Sequence, residues 1–296
     1  MPKVLVVSLA MSDAGKTTAA RAAIRFLRSR GLRVAAFKPA GEMWLYKDWT
    51  AVSRALDQGR FYGNDAYLLN RDAGAPFSEE VMSPSARVVV PARHDHSGQY
   101  CPTIAARCTL DPENGRHVVA IDPQRLAALG LRQHFDKLLT APGVTVREFS
   151  TLEELSRLVG EYMPQGIAAC HRHIAARFDT VVCESAGFSA LPWAGLKDFD
   201  HVIAINHGYV QLYDGDAYRR SFSAQHEVAV DSNWARDHEP RESAVWRNFS
   251  LVRAAQVVAG LEPVAEAAIA PLDHAGIDGG FERAVGSLLA QVEEVA

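Results

Sequence analysis

The chain has 296 residues, of which 48% are hydrophobic and 22% charged, and a formal net charge of -4. This balance matches a globular protein with a sizeable core and excludes a surface that coats nucleic acid, which needs a basic excess. No apolar run approaches the roughly 20 residues that span a bilayer, and no export signal precedes the first strand pattern. Cys101, Cys108, Cys170 and Cys183 lack a CxxC spacing and read as reduced thiols, so the expected location is cytoplasmic.

Lys3 to Ser8 is a short, β-branched run, the pattern of a central parallel strand buried on both faces. The run breaks at Ser8, crosses a short polar loop and reaches Gly15-Lys16-Thr17-Thr18. From Thr17 to Arg30, Ala20, Ala23, Ile24 and Leu27 alternate with Arg21, Arg25 and Arg28 at helical spacing, and Gly31 is placed to end that helix. Strand, loop and helix in this order are the context of a phosphate-binding loop. Loop residues Ser12, Asp13, Ala14, Gly15, Lys16, Thr17 and Thr18, with the positive helix end, would surround a phosphate. Lys16 would reach the terminal phosphates and the Thr17 hydroxyl would sit on a magnesium ion. The glycine that usually opens such a loop is absent; Leu9 and Ala10 stand where it would fall. The competing reading is a Gly-Lys-Thr that opens an ordinary helix.

Arg33 to Phe37 is a second strand, stopped at Lys38-Pro39. A βαβ unit places its ligand site at the strand carboxyl ends, so Lys38 is expected beside the loop. Gly41 to Trp49, GEMWLYKDW, is aromatic-rich without clear periodicity and reads as a lid, a substrate wall or an anchor for a long connection. Asn64-Asp65-Ala66 opens a helical pattern through Leu69, where an Asn or Asp is first of all an N-cap. Met82-Ser83-Pro84-Ser85 then precedes Arg87 to Val90, an edge strand or a loop. His94-Asp95-His96 and the pair His171 and His173 lack partners at zinc-ligand spacing and read as surface histidines.

Residues 103–158 read as an insertion. Asp122-Pro123 starts a helix with Leu126, Leu129 and Leu131 on its apolar side, ending before Ala141-Pro142-Gly143. Val144 to Phe149 is a strand pattern, and Ser150-Thr151-Leu152-Glu153 resembles a capping box. The helix that follows meets Pro164, with a second helical piece through Phe178. Asp179 to Glu184 is then a β-branched run that ends in a carboxylate, followed by small residues at Ser185-Ala186-Gly187. In phosphate-loop enzymes the strand beside the loop strand ends in an acidic residue facing the metal, which points to Glu184 as a ligand rather than a solvated charge. His201 to Asn206 is another central strand. Beyond Asp214 the pattern weakens. Ser243 to Gly260 has a mixed helical face of Trp246, Phe249, Leu251, Val252 and Val257, and Gly279-Gly280 precedes a terminal helix, Phe281 to Val292. With no repeat or clear linker, one α/β domain over 1–296 is the simplest organisation, its mostly parallel central sheet flanked by helices.

Taken together, these motifs make the chain resemble dethiobiotin synthetase and its relatives. The resemblance rests on Asp13-Ala14-Gly15-Lys16-Thr17, Phe37-Lys38-Pro39, Gly63-Asn64-Asp65-Ala66, Met82-Ser83-Pro84-Ser85 and Glu184-Ser185-Ala186-Gly187. It covers roughly the first hundred residues and Asp179 to Gly208. It implies a P-loop NTPase fold with ATP at the loop, magnesium held by Thr17, Asp65 and Glu184, and Lys16 and Lys38 as catalytic residues facing the transferred phosphoryl group. In that family a substrate amine captures carbon dioxide, ATP phosphorylates the carbamate, and a second amine closes a ring; relatives are often homodimers. Ser185 and Phe188 replace family glycines, and the 41–49 and 103–158 segments have no counterpart. The expectation is therefore a synthetase acting on a different small molecule, with a kinase or a nucleotide-controlled regulatory ATPase as alternatives.

Overall fold

The first apolar run becomes β1 (Val4–Ser8), buried at all five positions. It belongs to a computed structural model that describes residues 3–10, 14–91, 94–95, 97–193, 195–196, 198–231, 252–269 and 276–293. In chain order there follow α1 (Lys16–Ser29), β2 (Val34–Phe37), β3 (Ala40–Trp44), α2 (Leu45–Asp57), α3 (Asn64–Asp72), α4 (Glu79–Met82) and β4 (Ser85–Val89). Next come β5 (Thr103–Asp111), β6 (Arg116–Ile121), α5 (Pro123–Ala128), α6 (Arg132–Leu139), β7 (Val144–Glu148) and the long α7 (Leu152–Ala175). The remainder is β8 (Thr180–Glu184), β9 (His201–Asn206), β10 (Tyr209–Asp214), α8 (Gly215–Asp231), α9 (Ala254–Val258), β11 (Ala265–Ala268) and α10 (Gly276–Glu293).

The strands form two mixed sheets, so the fold is α/β. The first has the order β11-β10-β9-β1-β8-β2. Its β2, β8, β1 and β9 are parallel, and β10 and β11 add an antiparallel edge. The second has the order β3-β4-β5-β6-β7, parallel at both edges and antiparallel in the middle. It takes in the 103–148 stretch and also draws β3 and β4 from residues 40–89.

Alternation along β1 distributes its side chains between two cores. Val4 and Val6 pack with α1 and α10, while Leu5 and Val7 share a cluster with α7 and with Ala106, Cys108 and Ala120 of the second sheet. The helix α7 is therefore the joint between the sheets. It approaches β5 so closely that a Cβ on Gly166 would lie 2.3 Å from the Thr109 carbonyl oxygen. The apolar stripe Leu155, Val159, Met163, Ile167, Cys170 and Ile174 is fully buried, and it carries the helix unbroken through Pro164 despite the lost backbone hydrogen bond. That corrects the expectation of two helical pieces. A third cluster lies on the outer face of the second sheet, under α2, α5 and α6.

Other local expectations change as well. GEMWLYKDW is regular structure, the end of β3 and the start of α2. Arg87 to Val90 is no edge, because β4 lies between β3 and β5. The α7 capping box uses Thr151 and Glu154, one residue later than the pattern suggested. The Asp122 helix breaks into α5 and α6 at Gly130, whose φ is +68°. The terminal helix begins at Gly276 and runs through both glycines. Trp246, Phe249 and Leu251 lie outside the described residues, as does His96. His171 and His173 are not free surface histidines: His171 lies 5.4 Å from the Phe37 ring and 4.9 Å from Trp193, and His173 packs on Phe77. All four cysteines are buried and unbonded to one another. No helix among the described residues is long and apolar enough to cross a membrane.

Candidate functional site

Three parallel strands, β1, β8 and β2, end side by side, and their carboxyl ends gather the chemistry. Val6 pairs with Glu184 and Phe37 with Cys183, so Lys38, one residue past β2, stands beside Glu184. The Lys38 main-chain N–H donates to the Met82 carbonyl at 2.9 Å, and Ser85 N–H donates to Pro39 at 3.1 Å. The Met-Ser-Pro-Ser segment thus holds the turn that delivers Lys38.

Glu184 is the centre of the cluster and is 1% exposed. Its Oε1 accepts from the Thr17 hydroxyl at 3.0 Å and from Lys38 Nζ at 2.8 Å. Its Oε2 is buried and has no hydrogen-bond partner among the described residues. Lys38 Nζ also pairs with Asp65, whose side chain remains 46% exposed. Asp65 is in the first turn of α3, and Gly63 occupies the N-cap position without any side-chain cap. Neither Asn64 nor Asp65 is therefore the cap, and the Asp65 carboxylate is turned instead to Lys38.

The charges respond to this packing. Burial alone would lower the Lys38 pKa, but Asp65 and Glu184 outweigh it and hold the ammonium above its ordinary value. The positive charge of Lys38 is the main reason that Asp65 lies below the usual carboxylate range. Glu184 goes the other way: burial raises its pKa, against the opposing pull of Lys38. Lys16 acts electrostatically on both carboxylates. Lys38 is thus held in its charged form.

The loop meets this cluster through α1. Gly15 is its N-cap, in the left-handed region at φ 89° and ψ 25°, and no side-chain cap is made there among the described residues. Nor does that turn contain an acidic residue, and the positive end of the helix faces the cluster. Lys16, Thr17 and Thr18 are half-buried there, and Ala14 is buried. Ser12 and Asp13 lie outside the described residues. Where the opening glycine is missing, Leu9 N–H donates to Ile205 at 2.8 Å and Ser8 Oγ donates to the Ala10 carbonyl at 2.7 Å. The chain leaves β1 there by continuing its pairing with β9.

Lys16, Thr17, Lys38, Asp65 and Glu184 therefore come together from four separate stretches. Among the described residues no three His, Cys, Asp or Glu side chains form a metal-holding group. The cluster offers instead two carboxylates and a hydroxyl, a donor set for a hard cation, beside two lysines suited to phosphate. Two contributors were missed from sequence. Phe281 of α10 covers Gly15 so closely that a Cβ there would lie 2.5 Å from the ring; nothing in the local pattern announces it. Arg107 is fully buried in β5, and a lone arginine within the otherwise uncharged TIAARCTL was its available signal. No protein-family model matches the chain, and no curated protein matches it in sequence.

Proposed function

We propose that this chain is an ATP- and magnesium-dependent synthetase of the P-loop type, which activates a carboxylate or carbamate of a small molecule before an amide or ring is formed. The observation that carries the reading is Glu184 Oε2, a buried carboxylate oxygen without a partner among the described residues, next to Thr17, Lys38 and Asp65. An orphaned anionic oxygen is costly unless a ligand completes it, and the surrounding donors suit magnesium. Thr17, Asp65 and Glu184 would hold the ion, and when bound it would neutralise charge on the ATP phosphates.

The chain's own residues supply the rest. Lys16 and the positive N-terminal end of α1 bind the phosphates. Lys38, kept charged by Asp65 and Glu184, offsets negative charge on the transferred group. Phosphoryl transfer asks for alignment and charge cancellation more than covalent help, which this set provides. The likeness to dethiobiotin synthetase supports this phosphate chemistry, and by the same likeness the protein acts as a homodimer; the cysteine usage supports a cytoplasmic location. The second sheet and the regular structure at 41–49 favour a different substrate.

Calorimetry with magnesium and a slowly hydrolysed ATP analogue tests the reading: saturable, magnesium-dependent binding is expected, and its absence overturns the proposal. Product mass spectrometry with candidate amines and bicarbonate then separates an amide or cyclic urea, the expected outcome, from a stable phosphorylated product. The latter would make the protein a kinase. Slow hydrolysis indifferent to any small molecule, with nucleotide-dependent dimerisation, would make it a regulatory ATPase.

A further inference from the structure

Among the described residues Arg107 has the largest side chain that is fully buried, and no carboxylate there hydrogen-bonds its guanidinium. Instead it donates into main-chain carbonyls. Nε bonds Phe61 O at 2.9 Å, Nη1 bonds Glu80 O at 3.4 Å and Pro84 O at 3.2 Å, and Nη2 bonds Ser83 O. Nη1 also bonds the Thr109 hydroxyl, which itself donates to Glu80 O at 2.8 Å. The carbonyls come from two segments only, residue 61 and residues 80–84. Each leads directly to a site residue. Met82, between Glu80 and Ser83, accepts the Lys38 N–H. Phe61 lies two residues before Gly63, the N-cap of the helix that carries Asp65. The Glu80 carboxylate closes the same knot by accepting from Phe61 N–H at 3.2 Å and from Arg60.

We infer that Arg107 is a positioning residue: from the second sheet it ties together the two segments that set Lys38 and Asp65, and so fixes the spacing of the site without touching it. Burying a guanidinium among carbonyls is a costly way to fill a core. A planar fork with five donors is, however, the side chain suited to clamping several carbonyls at once. The second sheet is in this account the frame of the site, not only an elaboration around it. Its link to nucleotide binding rests on the function proposed above.

The test compares Arg107→Lys and the milder Thr109→Val with Leu138→Ala, a buried change in α6 that removes none of the knot's hydrogen bonds. Backbone hydrogen exchange is followed in peptides covering 36–42 and 61–68, and magnesium–ATP affinity is titrated well below each variant's melting temperature. The expected result is exchange at least ten-fold faster in those two peptides, with at least five-fold weaker magnesium–ATP binding, in the Arg107 and Thr109 variants but not in the Leu138 variant. Exchange or affinity that changes no more than in the Leu138 control, at equal loss of melting temperature, overturns the positioning role. A wild-type chain that fails to bind magnesium–ATP sinks the functional reading alone, and the exchange comparison still decides whether Arg107 holds the two segments.

Discussion

Lys38 Nζ and Glu184 Oε1 are 2.8 Å apart in a buried ion pair, between a residue just past one strand and the last residue of its neighbour. Each charge answers the other in a place that water scarcely reaches, and the Thr17 hydroxyl shares the same carboxylate oxygen.

Breaking that pair from one side should cost more than removing it. Lys38→Met leaves Glu184 buried without its cation, a change of about 3–5 kcal/mol in comparable buried pairs. In this variant the Glu184 pKa, already raised by burial, rises further. A raised carboxyl pKa means that the native state holds the proton more tightly than the unfolded chain. Stability of the variant should therefore fall as pH rises from the ordinary carboxylate range up to the raised value, then level off. Urea melts across pH check this, and Lys38→Met with Glu184→Gln should be more stable at pH 7 than Lys38→Met alone.

Asp65 should behave in the opposite sense and more weakly. Its pKa is depressed, so its contribution is present above the unfolded value, 3.8, and disappears as pH falls through the folded one. With its side chain about half exposed, the pair with Lys38 is worth under about 1 kcal/mol. Asp65→Asn should thus cost little stability at pH 7, and its difference from wild type should vanish in acid. A loss of several kcal/mol at neutral pH would show that solvent screens Asp65 far less than its exposure implies.

Gly15 meets both backbone and packing limits. Any side chain there must adopt positive φ, at about 1 kcal/mol, and press its Cβ into the Phe281 ring, an overpacking worth about 1–3 kcal/mol. Gly15→Ala should destabilise by the sum. If the clash is the larger part, the penalty shrinks when Phe281 is first changed to Leu, and a double-mutant cycle on thermal unfolding measures that coupling. Purely additive effects would assign the cost to the backbone.

How far the site could be read in advance depended on the range of each signal. Glu184 and Lys38 were legible because a β-branched run ending in a charge is local, and parallel strands deliver such ends to one edge. Taken alone, Asp65 reads as a cap, which it is not, because the pull of Lys38, 27 residues earlier, is not written around it; its place in the cluster came from the resemblance. The first sheet's parallel strands follow from short apolar runs. The second sheet was obscured: in TIAARCTL an arginine interrupts the buried run, and within 41–49 the strand part, 41–44, is fixed by pairing with β4 while 45–49 already belongs to α2. Pro164 misled for a similar reason, since tertiary burial of one helix face overrode a strong local breaker.

The two ends of the proposed chemistry can be separated by substitution. Lys16→Met should lower ATP turnover at least about 100-fold, the scale for losing one preorganised charge-stabilising group. Its melting temperature should change little, because a half-buried residue at a helix start is not core. Glu184→Gln keeps the shape of the side chain but removes a charge from the donor set, so it should raise the magnesium concentration needed for half-maximal turnover while leaving saturating ATP affinity less affected. The glutamine also leaves the buried Lys38 ammonium with Asp65 as its remaining carboxylate partner, so this variant should be less stable than wild type in the absence of magnesium. An unchanged magnesium titration would refute the assignment of Glu184 as a ligand, and would leave its carboxylate the simpler task of holding Lys38 and Thr17 in place.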